Sequence, residues 1–234
     1  MDIQTFDFSA IGGSAFGGKT LNFRLTMATP ITHLILANNV FKKFFASKDK
    51  KKFFVGTSFP DIRYLGVIER EKTHFSGIRI SDLQKEDSFF CGMKFHSLVD
   101  EARTAFWEKE NIYLKYPEIK ATSILKLLED QLLYSKIQDW KNISSFFDEI
   151  LSEELSFGIP EEGVKKWHFA LQKYLSFSPT DESRKVFANE INYHPKYVDY
   201  ANEIIEKLKA DDFIVKAINE FCDNFENYLN NHYL

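Results

Sequence analysis

From Thr32 onward the apolar residues Leu34, Ala37, Val40, Phe41 and Phe44 recur at helical spacing, and Pro30 stands just ahead, where a helix tolerates proline. The pattern predicts a first helix over 31–46. It is followed by the charged run Lys48-Asp49-Lys50-Lys51-Lys52, read as a solvated turn, and by the turn-rich stretch Gly56-Thr57-Ser58-Phe59-Pro60-Asp61, which presents Asp61 at the start of a short helix. Residues 70–85 read as loop. The longest amphipathic stretch is 86–109, with Phe89, Met93, Val99, Ala102 and Phe106 near one stripe and no proline before Pro117. Further helices are expected over 118–138, 140–154, 161–175, 182–190, 195–208 and 211–231, punctuated by Pro160, Pro179 and Pro195. No strand-like alternation persists and no repeat recurs, so the fold class is all-α, an irregular multi-helix bundle.

The first 26 residues break this pattern. Gly12-Gly13-Ser14-Ala15-Phe16-Gly17-Gly18 has linker composition and no period, and Met27 is a plausible natural start, so 1–26 is expected to be a flexible extension and 27–234 a single helical domain. An N-terminal arm packed on the domain is the alternative.

Composition narrows the setting. The 234 residues include 24 Phe and 10 Tyr, enough to fill a large core, and 30 basic against 34 acidic residues give a net charge of −4. That balance offers no positive field to a phosphate backbone, so nucleic acid is not an expected partner. No segment reaches the ~18 apolar residues of a membrane span, and no basic leader precedes Asp2. Cys91 and Cys222 lack metal or disulfide spacing, and Cys91 reads as a small buried filler. A reducing, cytoplasmic location is expected.

Chemistry concentrates in one stretch. In Phe95-His96-Ser97-Leu98-Val99-Asp100 the imidazole and the carboxylate are four residues apart, hence one turn apart on one helix face, able to converge on one ion. A surface salt bridge is the competing account, but Gly92, Met93, Phe95, Leu98 and Val99 around the pair imply burial, and a buried carboxylate must be paired or metal-bound. His74 lies on a loop rather than on an apolar stripe. Asp61 is either a ligand or a helix N-cap, roles that are compatible. Arg63 and Arg103 are candidates for phosphate contact, with ordinary salt bridges as the alternative. Glu129 is a candidate for the cleft lining, with an exposed helix carboxylate as the alternative. His168, His194 and His232 lack a carboxylate at ligand spacing and read as surface or core histidines.

The order Thr32-His33, GTSFPDI (56–62), Thr73-His74-Phe75 and FHSLVDE (95–101) resembles the zinc-dependent phospholipase C family, related in fold to the S1/P1-type nucleases, over about residues 29–140. The resemblance implies a helical fold of that type with zinc held by Asp61, His74, His96 and Asp100, and Asp61 also serving as general base. It implies a second ion at His33 and Asp100, so that one zinc or two are expected. A third family site needs histidines where this chain has Phe106 and Leu125, and is absent. The implied activity is hydrolysis of a phospholipid head group or another small phosphodiester. The competing function is a non-catalytic helical interaction protein that keeps one structural metal or none.

Overall fold

The computed structural model of the protein describes residues 29–119, 123–191, 193 and 195–234; the expected extension 1–26 and His194 lie outside them. The described residues form helices joined by short turns, with no strand among them. The α-helices are α1 (Pro30–Phe44), α2 (Lys50–Ser58), α3 (Ile80–Leu83), α4 (Ser88–Lys109), α5 (Ile112–Lys115), α6 (Ile124–Leu133), α7 (Trp140–Ser145), α8 (Ser152–Leu155), α9 (Glu161–Leu175), α10 (Asp181–Glu190), α11 (Pro195–Lys209) and α12 (Asp212–His232).

Helix α1 is central: Ile31 through Ala37 are all buried, and the helix packs against α2, α4, α6 and α12. Helices α9, α10 and α11 form a second layer, in which α11 packs on α6 and α12 and α9 meets the 3-10 helix Phe59–Leu65. Phenylalanines knit the first layer, with Phe53 within ring-contact distance of Phe45 and Phe95, and Phe59 against Phe89 and Phe157. The all-helical expectation holds, and the strongly periodic segments 161–175, 182–190 and 211–231 fall within a residue of α9, α10 and α12.

Four expectations need correction. The charged run at 48–52 is not a turn throughout, because α2 begins inside it: the Asp49 carboxylate accepts from the Lys52 N–H at 2.8 Å and caps the helix. This acidic cap offsets three lysines placed against the positive end of the helix dipole. The turn-like Gly56 is likewise helical, for a tertiary reason. A Cβ on Gly56 would overlap the Phe89 carbonyl oxygen, and one on Gly92 would overlap that of Phe53, so the two glycines let α2 and α4 cross backbone to backbone. The expected 140–154 helix is split into α7 and α8, and the loop 70–85 contains a 3-10 turn (Arg70–Lys72) and α3.

Candidate metal centre

The close crossing of α2 and α4 brings the last turn of α2 onto His96. Its Nδ1 stands 2.9 Å from the Thr57 carbonyl oxygen, an acceptor, so Nδ1 carries the proton and donates, and Nε2 keeps a free lone pair. His33 on α1 is arranged the same way, with Nδ1 donating to the Thr29 carbonyl at 3.2 Å. The two imidazoles stack face to face, centroids 4.0 Å apart and planes 7° from parallel. His74 meets His96 edge-on at 5.1 Å.

Asp61 sits in a 3-10 helix (Phe59–Leu65) that continues α2, and it is buried inside that helix rather than capping it. His74 is held on its loop by local bonds: its N–H donates to Arg70 O at 3.0 Å, and the next residue, Phe75, donates to Ser97 Oγ at 3.1 Å. The Gly77 N–H reaches Glu101 at 3.1 Å. Ser97 and Glu101 thus fasten the loop to α4 on either side of Asp100.

Five donors converge. His96 Nε2 lies 4.0 Å from Asp61 Oδ1 and 3.8 Å from Asp100 Oδ2, and His33 Nε2 lies 3.4 Å from Asp100 Oδ1. Two overlapping triads, His33/Asp61/His96 and His74/His96/Asp100, each have ligand atoms within 4.8 Å of one another. The Nε2 atoms of His33, His74 and His96 are all buried without a hydrogen-bond partner. An anchored imidazole offers a lone pair, and a carboxylate offers only lone pairs, so these groups repel unless a proton or a metal cation lies between them. Ligand bonds of about 2.0–2.2 Å at tetrahedral angles separate neighbouring donor atoms by about 3.4 Å, close to the spacings here. The donor set therefore fits a divalent metal.

The electrostatics agree. Burial pushes Asp61 up, against the pull of Arg63, His33 and Lys126. Burial acts on Asp100 in the same sense, but Lys126 and His33 outweigh it and hold Asp100 well below the usual carboxylate range. Burial, reinforced by Arg70, lowers His74 to about 3, and burial, with His33 beside it, lowers His96 well below its ordinary value. Both shifts favour the neutral form of the ring, the form a metal would need.

On one side the cluster opens. A cleft of about 520 Å³ is lined by His74 and Asp100 together with Arg70, Lys126, Glu101 and Glu108. The expected substrate contacts lie elsewhere. Arg103 donates from Nε and Nη2 to the two oxygens of Glu129 at 2.7 and 2.6 Å, and both residues are buried. Glu129 is therefore neither an exposed helix carboxylate nor part of the cleft wall, because the bidentate pair uses the charge of both partners on each other. Arg63 stacks over Tyr64 at 4.0 Å and donates to its hydroxyl at 2.6 Å; it too is absent from the cleft lining. The cleft cations are Arg70 and Lys126. The only signal of Lys126 in the sequence is its place three residues before Glu129 on the same helix, one turn away.

No family model matches the chain, and no curated protein or solved structure does so either.

Proposed function

We propose that the protein is a metal-dependent phosphoric-ester hydrolase resembling the zinc-dependent phospholipase C family. The observation that carries this reading is the set of three buried, unpartnered Nε2 atoms facing two carboxylates, a cluster whose His74 and Asp100 line an open cleft. Structural sites are closed, whereas catalytic ones keep a position for water or substrate. Asp61, His74, His96 and Asp100 hold the ion, with His33 behind Asp100. Mixed imidazole and carboxylate ligation suits zinc. Such an ion supplies Lewis-acid activation of a water and of a phosphoryl oxygen. Asp61, made more basic by burial, accepts the proton of the attacking water. Arg70 and Lys126 receive the anionic ester, a phospholipid head group or another small phosphodiester. No described helix is long and apolar enough to cross a membrane. The two cysteines are buried free thiols, Cys91 raised by burial to about 12, which suits a reducing, cytoplasmic setting.

A second reading, a helical interaction protein with one structural metal or none, is favoured by the Lys126 contact to Asp100 and by the mutual neutralisation of Arg103 and Glu129. Hydrolysis of bis-p-nitrophenyl phosphate decides between them. The expected result is activity that vanishes with chelator and returns with zinc, and a fall of ~100-fold or more in Asp61→Asn, whose amide cannot take a proton. Metal-loaded protein inert toward phosphodiesters and phospholipids would leave the interaction reading.

A further inference from the structure

Asp100 presents its two oxygens to different neighbours. Oδ2 faces His96, while Oδ1 lies 3.4 Å from His33 Nε2 and accepts a hydrogen bond of 2.5 Å from Lys126 Nζ. The two donor triads share His96, whose one free nitrogen serves a single ion. Filling both positions therefore requires Asp100 to bridge, with Oδ1 given to an ion beside His33, where Asp61 is also within reach. Lys126 already holds that oxygen. Its ammonium comes from α6, and the same side chain lines the cleft, so it stands between the buried donors and an incoming ligand.

Building on the metal reading above, we propose that Lys126 is the built-in second cation of this site: it occupies the bridging oxygen of Asp100, limits the cluster to one divalent ion, and meets the phosphoryl oxygen of an ester entering from the cleft. One divalent ion and one ammonium against two carboxylates still leave the cluster positive, as binding an anion needs. A lysine ammonium suits this post because it is a compact point charge on a flexible stem, able to stay on Asp100 while offering a further N–H to a ligand.

The test is metal stoichiometry, which does not depend on turnover. Wild type, Lys126→Ala, Lys126→Met and Lys126→Arg are saturated with zinc, desalted and measured for zinc per chain, with helical content checked by circular dichroism. Lys126→Met keeps the apolar stem and stands in should the alanine variant lose its fold. About one ion is expected in wild type, about two in Lys126→Ala and Lys126→Met, where Asp100 Oδ1 is released to an ion shared with His33, and about one in Lys126→Arg, which restores the cation. Wild type with two ions, or folded Lys126→Ala and Lys126→Met with one, overturns the role of Lys126 and leaves the metal reading standing. Wild type with none removes both.

Discussion

Among the described residues histidine is buried beside carboxylate in two places, and the two are built differently. In the second layer His168 Nε2 lies 2.8 Å from Glu154 Oε1, and the other Glu154 oxygen accepts the Leu151 N–H at 2.9 Å. Nearby Arg184, fully buried, donates to Asn202 at 2.6 Å, to Gln131 at 3.1 Å and to Asp181 at 2.5 Å. These polar groups answer one another at hydrogen-bond distance. In the first layer His33, His74 and His96 face Asp61 and Asp100 across 3.4 to 4.0 Å or more, with their Nε2 atoms unpartnered. The same residue types yield a closed pair in one layer and a set of unpartnered nitrogens facing carboxylates in the other. What separates them is where the imidazole proton is spent: backbone carbonyls take it from His33 and His96, which leaves the opposite nitrogen bare toward the carboxylates.

That contrast can be broken most sharply at the structural pair. His168→Ala leaves Glu154 buried beside an empty space and is expected to cost about 3–5 kcal/mol of stability while zinc content stays unchanged. His96→Ala is expected to remove the zinc. Denaturant unfolding and element analysis of the two variants read both effects, and a His168→Ala protein that loses its metal would merge the two regions into one.

Zinc itself should distinguish them next. Free zinc at a hundredfold excess over its dissociation constant stabilises the folded state by about 2.7 kcal/mol, a rise in melting temperature of about 5–10 °C for a chain of this size. The rise should survive His168→Ala and disappear in His74→Asn. A melting temperature indifferent to zinc in wild type would sink the ligand assignment.

The smallest effect is on acid stability. His74 is depressed from 6.5 to about 3 and His96 well below 6.5, so the unfolded chain binds more protons than the folded one as the pH drops through 6.5 toward 3. Stability contributed by the neutral rings is present above 6.5 and is lost on acidification, by about 1 kcal/mol for His74 between pH 6.5 and 5.5, with His96 acting in the same sense. Metal-free His74→Asn should show a shallower loss over that window in urea titrations. An unchanged slope would mean that His74 is not held neutral in the folded protein.

Local order determined much of this protein by itself. The 3.6-residue apolar period of α9, α10 and α12 sets those helices because each needs only its own stripe to be buried somewhere. The four-residue spacing of His96 and Asp100 puts them on one helix face whatever the rest of the chain does, and the apolar residues around them predicted the burial that His96 shows. Other features were decided only in three dimensions. Gly56 reads locally as a turn residue and Gly92 as one of the small residues around His96, yet they are what allow α2 and α4 to touch, and that contact supplies the Thr57 carbonyl that orients His96. Lys126, Arg103 and Glu129 look alike in sequence, as charged residues on amphipathic helices. Packing of α6 against α1, and of Arg103 on α4 onto Glu129, closed the last two on each other and left Lys126 alone at Asp100. Pairing between charges distant in sequence depends on which helices meet and at what register, and a one-dimensional pattern carries no information about that register.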